Sequence, residues 1–200
     1  PEQVKAIFGH TIDTGLQHGT VTIMRDKVGY EVTTYRIDGE YEDGRHPKEV
    51  EFTSNLLEDL KRRDFTINAM AYNPKEGLVD AFEGIRDLKE KRIRCVGNAL
   101  ERFTEDALRI LRAIRFSAQL GFSIEESTWE AIKVIAPNLI HVSKERIQVE
   151  LTKLLLSNHP DEIRKVFDRE LDTRICADFP KVDPERIAID PGLPKNKHMR

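Results

Sequence analysis

Asp106, Arg109, Arg112 and Arg115 recur at steps of three within ERFTEDALRILRAIRFSAQLGF, residues 101–122. At helical pitch a step of three returns close to the same side of the cylinder. The spacing therefore predicts one carboxylate and three guanidinium groups along a single stripe. Leu108, Ile110, Leu111, Ile114 and Phe116 cover most of the remaining surface, and a helix that is apolar on most sides is usually buried. The stripe then faces water, a partner or a ligand in a cleft. Two readings are open. One is a solvated face with Asp–Arg pairs worth a few tenths of a kcal/mol each. The other is a site for a nucleobase. Arg offers a rigid fork of donors and Asp only acceptors, so together they match the edges of cytosine and adenine, which set an amino donor beside a ring acceptor. Carboxylates are known acceptors for the cytosine amino group. Uracil and guanine would meet the carboxylate acceptor to acceptor.

The elements that position these residues follow from pattern. Residues 1–8 read as the end of a short helix with Val4, Ile7 and Phe8 on its apolar side. Residues 20–24 and 30–37 are β-rich, with Asp26, Lys27 and Gly29 between them, which predicts a hairpin. In its second strand Glu31, Thr33 and Tyr35 share one face. Residues 39–48 read as a polar loop, and 50–52 as a short extended piece. A helix capped by Ser54 is expected to carry Leu56, Leu57, Leu60, Phe65, Ile67 and Met70 and to stop before Pro74. Its polar cluster Lys61, Arg62, Arg63, Asp64 and Asn68 is either a charged surface or a phosphate and ribose site. A strand over 78–82, a short helix over 84–91 and a strand over 93–96 follow. Lys89, Lys91, Arg92 and Arg94 form a basic run that suits either a solvated surface or RNA. Beyond residue 101 the pattern is helical. The stripe-bearing helix closes at Gly121, and further helices are expected over 127–136, over 145–156 with Ser143 as cap, and over 161–167. Residues 174–200 show little periodicity.

Bulk composition sets limits. The chain has 200 residues, 39% of them hydrophobic and 34% charged, which suits one globular domain or two small ones. The net charge of −3 gives no general basic excess, so RNA binding would need local patches. Cys95 and Cys176 are too few for a disulfide framework or a zinc cluster and fit a reducing cytosol. No apolar run approaches membrane-spanning length, and no signal peptide is visible. A cytoplasmic location without membrane contact is the expectation.

Several ordered motifs carry a resemblance. TGLQHGTVTI leads into YEVTTYR; GRHPKEVEF precedes EDLKRRDFTINAMAYN; LVDAFEGIRDLKEKRIRCVG precedes ERFTEDALRILRAIRF; HVSKERIQVEL comes last. In this order and spacing the chain resembles, from Pro1 to about Asp168, the class II nucleotidyltransferase family of bacterial CCA-adding tRNA nucleotidyltransferases and poly(A) polymerases. The resemblance implies an α+β fold: a polymerase β-like nucleotidyltransferase head, a short mixed sheet with helices over residues 1–98, then an all-helical neck over 99–168, with 169–200 the start of a body or a loop-rich tail. It implies a template-independent enzyme that adds C and A to the 3′ end of tRNA from CTP and ATP and releases pyrophosphate. A poly(A) polymerase, an enzyme adding only C or only A, and a non-catalytic nucleotide- or RNA-binding module are the alternatives.

The resemblance also implies roles. Two Mg2+ ions would be organised by two aspartates of an early strand and a third carboxylate, which maps onto Glu31, the catalytic candidate. Arg63, Asp64 and Asn68 are expected at the ribose and phosphates of the nucleotide, Asp106 and Arg109 at the base edge, and Arg112 and Arg115 at the nucleotide site. Arg146 and Glu150 are expected to form an ion pair at helical spacing that braces the neck. The family's glycine-rich motif and Asp-x-Asp strand would lie upstream of Pro1. The expectation for these residues alone is therefore weak nucleotide binding and little catalysis.

Overall fold

A computed structural model describes residues 1–16, 19–39 and 50–163. Helix α1, Glu2–Ile7, leads into an antiparallel sheet of β1 (Thr11–Gly15), β2 (Thr20–Arg25) and β3 (Val28–Thr33), in that spatial order. The β2–β3 hairpin turns on Asp26 and Lys27 alone, at φ of 51° and 63°, the paired left-handed geometry of a two-residue turn that matches strand twist. Glu31 pairs with Thr22 across it. Strand β1 is an element the pattern did not predict. The expected long second strand is two: beyond Thr33 the chain changes partner, and β4 (Arg36–Asp38) pairs with β5 (Val50–Phe52). The change of partner is tight at Gly19. With φ of 75° and a Cβ position 2.6 Å from the Phe52 ring, no other residue fits there without strain. The loop expected over 39–48 falls almost wholly outside the described residues.

Helix α2, Leu56–Lys61, is capped by Asn55, whose side chain accepts from Leu57 N at 2.9 Å, and not by Ser54. It also ends much earlier than Pro74. Phe65 is extended and fully buried. Its neighbours pair with a distant segment: Thr66 N donates to Arg94 O at 3.0 Å, and Val96 N to Asp64 O at 3.1 Å. A single 3₁₀ turn, Thr66–Asn68, follows, and then β6 (Ala71–Asn73) pairs with β7 (Gly77–Val79). The apolar spacing that suggested a helix is overridden by non-local pairing and by burial of one aromatic ring. Helix α3, Gly84–Lys89, starts where the Asp80 carboxylate accepts from Gly84 N at 2.7 Å and Ile85 N at 2.9 Å. It lies so close to the 3₁₀ turn that a Cβ on Gly84 would sit 2.4 Å from Thr66 O.

The remainder is helical. The short strand β8 (Arg92–Ile93) pairs in parallel with β9 (Ser123–Ile124). The expected stripe-bearing helix is two helices, α4 (Ala99–Glu105) and α5 (Leu108–Leu120). Asp106 interrupts them with φ −151° and ψ 102°, and its carboxylate accepts from Leu108 N at 3.1 Å. An aspartate that can satisfy the free N–H groups of a new helix start competes with helix continuation. Gly121, left-handed at φ 66°, closes α5. Helix α6, Glu126–Ile135, a 3₁₀ segment over Ala136–His141 and α7, Lys144–Leu155, follow close to expectation. The helix expected over 161–167 is described only as the 3₁₀ turn Pro160–Ile163, and residues 169–200 lie outside the described residues.

The main core is built on α5. Phe103, Ile110, Leu111, Ile114, Ile132 and Leu154 are almost completely buried, together with Phe65, Ile93 and Cys95. The core thus joins residues on both sides of position 98. A smaller cluster of Leu60, Ala69 and Val96 sits under α2.

Candidate nucleotide site

The polar residues gather where α2 and the extended segment after it meet α5. Asp64, buried at its root, accepts from Phe65 N at 2.9 Å and from the Asn68 side-chain amide at 3.4 Å through one oxygen. Through the other it accepts from Arg112, Nε at 2.7 Å and a terminal nitrogen at 2.6 Å. An Asp and an Arg separated by 48 positions in the chain therefore meet, and they connect the RRDFTIN segment to the stripe. Arg63 lies alongside: it donates to Asn68 O at 3.2 Å and to Asp59 at 3.2 Å. Arg63, Asp64, Asn68 and Arg112 are thereby brought together.

The stripe itself is corrected. A step of three on an α-helix falls about 60° short of a full turn, so Arg109, Arg112 and Arg115 wind around α5. Arg115 arrives on the side that faces α7. It is buried at 7% exposure, donates to Glu150 at 2.5 Å and to Gln119 at 2.6 Å, and stacks 3.9 Å over the Phe116 ring. It braces α5 against α7 through Glu150, whose other oxygen lies 3.9 Å from Arg112. The Arg146–Glu150 ion pair is also corrected. Arg146 donates to Asp106 at 2.7 Å, and Glu150 takes Arg115. Once α7 lies on α5, partners across the interface are nearer than partners one turn along the same helix.

Asp106 and Arg109 flank the first turn of α5, each with its own support. Asp106 is gripped by Arg146. Arg109 donates to Glu105 at 2.5 Å, to Arg102 O at 2.9 Å and to Arg62 O at 3.4 Å. Arg102 pairs with Glu105 as well and donates to Lys61 O at 3.4 Å. Arginines from α4 and α5 thus cap the last carbonyls of α2, where cationic donors are favoured. Glu105 and Arg102 were missed in the sequence; the signal available was their spacing, three and four residues from each other and from Arg109. They border a shallow cavity of about 160 Å³ that Lys61, Arg62, Asp38 and Glu58 also line.

Charge balance beneath the seam rests on Asp59. Its carboxylate is buried, which alone would push its pKa up. Arg62 at 2.6 Å, the Arg36 backbone N–H and Arg63 outweigh burial and hold it below the ordinary range. Cys95 is the opposite case. Burial first, and the Asp64 charge second, push its thiol up to about 12, so it is inert at neutral pH. In the basic run, Arg94 turns inward to Asp87 at 2.9 Å and to Phe82 O at 2.9 Å, while Arg92 pairs with Glu90 at 2.8 Å.

Glu31 stands apart from this seam, exposed in the middle of β3. Among the described residues no group of three or more His, Cys, Asp or Glu is placed to hold a metal ion. A lone strand carboxylate does not fit a divalent-metal pair, which needs several oxygen ligands. No helix among the described residues is long and apolar enough to cross a membrane.

Comparison with known proteins relates the whole chain to one group of enzymes. Residues 1–94 match the poly A polymerase head domain family, and residues 121–170 match a family described as the probable RNA and SrmB-binding site of polymerase A. The CCA-adding enzyme of Oceanobacillus iheyensis is 52% identical over 176 residues, covering 88% of this chain and 44% of that protein. Among solved structures, the Bacillus stearothermophilus CCA-adding enzyme in complex with CTP superposes with a TM-score of 0.80 at 39% identity, over 93% of this chain and 44% of that one. The Thermotoga maritima CCA-adding enzyme complexed with tRNA gives 0.71 at 30% identity, over 88% and 40%. The chain spans less than half the length of the curated relatives it matches.

Proposed function

The chain belongs to the CCA-adding enzyme and poly(A) polymerase family, and we propose that it works as the nucleotide-selecting part of a template-independent RNA nucleotidyltransferase that adds C and A to the 3′ end of tRNA. CTP and ATP are the proposed substrates and pyrophosphate the product. In that reaction the RNA 3′-hydroxyl oxygen bonds to the α-phosphorus of the nucleotide, the bond from that phosphorus to the pyrophosphate oxygen breaks, and pyrophosphate leaves. A cytoplasmic site of action follows from a tRNA substrate.

The observation that carries this reading is the Asp64–Arg112 bridge. It sets the RRDFTIN segment against the helix that begins with Asp106 and Arg109. Residues 1–98 and 99–168 act here as two functional halves, a head and a neck, with the nucleotide at their seam. Asp106 accepts the exocyclic amine of cytosine or adenine. Its carboxylate has about four lone-pair directions; Arg146 and Leu108 N take only part of that capacity. Arg109 supplies donors for the neighbouring ring acceptor, held level by Glu105. Arg112 and Arg63, the more open guanidinium groups, take phosphate oxygens and spread the negative charge that develops there. Asn68 and Asp64 serve the ribose. Arg115 belongs to this proposal only as a brace behind Arg112.

Mg2+ is the ion that the family resemblance points to, and it would supply neutralisation of the charge that develops at the phosphate oxygens. Glu31 is the candidate ligand among the described residues.

The test is nucleotide addition to tRNA lacking its 3′ end, with magnesium and each nucleoside triphosphate alone and combined, read as product length. Addition that needs both CTP and ATP and stops after a short fixed length supports CCA addition. Long tails from ATP alone move the assignment to poly(A) synthesis. No addition leaves the seam as a nucleotide site without catalysis.

A further inference from the structure

Arg102 stands behind Arg109, and its two terminal nitrogens go to different elements. One donates to Lys61 O at the end of α2, at 3.4 Å, and the other to one oxygen of the Glu105 carboxylate. The second oxygen of Glu105 accepts from Arg109 at 2.5 Å. Arg109 in turn reaches Arg62 O at 3.4 Å, the carbonyl next to Lys61 O. Two arginines of the helical half thus meet consecutive carbonyls of α2, and one carboxylate ties the two together. Carbonyls at a helix end have no partner within their own helix, which leaves them to donors from elsewhere. The side chains of Arg102, Glu105 and Arg109 are 16%, 19% and 11% exposed, so solvent competes little for these contacts.

We propose that Arg102 is a positioning residue for base choice: through Glu105 it sets the plane of the Arg109 guanidinium. This role rests on the assignment of Asp106 and Arg109 to the base edge and adds a residue to it. The last torsion of a glutamate side chain is broad, so a carboxylate held at one oxygen can turn. With each oxygen on a different guanidinium it cannot turn without losing a contact. Arg102 supplies that second hold and is itself anchored at Lys61 O. A guanidinium reads a base edge through the direction of its donors, and hydrogen bonds weaken steeply as they bend. A tilted Arg109 would still attract a triphosphate by its charge, but would separate cytosine from uracil less well. The competing role for Arg102 is local, a charge pair with Glu105 three residues on within α4. Such a pair adds to stability and leaves base choice untouched. The shallow cavity of about 160 Å³ beside Arg102 makes its truncation tolerable, because the change widens an existing hollow and opens no closed void in the core.

Two measurements on the whole chain decide it: NMR relaxation of the Arg109 side-chain Nε–H, and calorimetric titration of CTP and UTP, with a melting curve to show that each variant is folded. In Arg102→Ala the Arg109 order parameter should fall from the rigid range, about 0.85, to about 0.6 or below. The parent's preference for CTP over UTP, about tenfold, should drop to about threefold. Arg102→Lys keeps the charge but offers one nitrogen where two are used. It should bind CTP within about threefold of the parent and still lose preference, which separates positioning from general attraction of phosphate. An unchanged Arg109 order parameter, or a preference unchanged in both folded variants, overturns the positioning role and leaves the nucleotide site standing. A parent that shows no preference for CTP overturns the base-edge assignment itself, and this role with it.

Discussion

The helical half and the sheet half of this molecule use the same apolar residue types to different ends. Around α5, Ile110, Leu111 and Ile114 are at most 1% exposed. In the three-stranded sheet Val21 is fully buried, yet Ile12, Val28 and Tyr30 are each about half exposed. Helices can be laid against one another until an apolar stripe is covered on every side. A small sheet buries one face only when another layer covers it. The helical half therefore supplies stability, and the sheet half supplies open edges, clefts and the exposed Glu31. The seam between them holds charged groups, with Asp64 buried and Arg112 and Arg63 partly open.

Mutations can break or sharpen that contrast. Leu111→Ala should cost about 3 kcal/mol or more in urea unfolding, and Ile12→Ala well under 1 kcal/mol. Equal losses would remove the distinction between the halves. Next in size is Glu150→Gln, which leaves the buried Arg115 without its carboxylate; a loss of about 3 kcal/mol is expected. Replacing both residues, Arg115→Met with Glu150→Leu, should restore most of it, because packing and not charge is what α5 and α7 need. If the double variant is no better than the single one, the pair contributes more than a brace. Gly84→Ala should cost about 1–3 kcal/mol through the clash with Thr66 O and should loosen the 3₁₀ turn that carries Asn68; a melting curve measures the first effect and CTP affinity the second. The smallest effect is in pH dependence. Asp59 has its carboxyl pKa held down in the folded state, so its contribution is fully present above the ordinary Asp value of about 3.9 and is lost as pH falls through the lower folded value. Thermal melts from neutral to acid pH should fall less steeply for Asp59→Asn than for the parent, from a lower starting stability. Parallel curves would contradict that assignment.

Much of the helical half was legible because spacing and burial agree there: α6, α7 and the Gly121 closure follow the apolar period. The exceptions have local causes. Residues 62–73 imitate a helix in their apolar spacing, but Phe65 is needed in the core and its backbone pairs with residues 94–96, which no window of sequence reveals. Asp106 reads equally well inside a helix and as the start of one; packing of α4 against α6 and α5 against α7 decides. The arginine stripe was legible in composition and misread in direction, because the 60° lag per step only matters once α7 occupies one side. Partner choice was the least legible feature. Arg146 and Glu150 are ideally spaced for each other and pair elsewhere. The meeting of Asp64 with Arg112 was suggested only by the family resemblance, since nothing local links residues 48 apart.

The central claim is that Asp106 reads the base at the seam. Calorimetric titration of CTP, ATP, UTP and GTP into the parent and into Asp106→Ala tests it directly. A melting curve should accompany it, because Asp106 also caps α5 and pairs with Arg146. The parent should bind CTP and ATP about tenfold more tightly than UTP and GTP, and the variant should lose that preference while still binding the triphosphates. A folded variant that keeps the parent's preference would show that the base is read elsewhere.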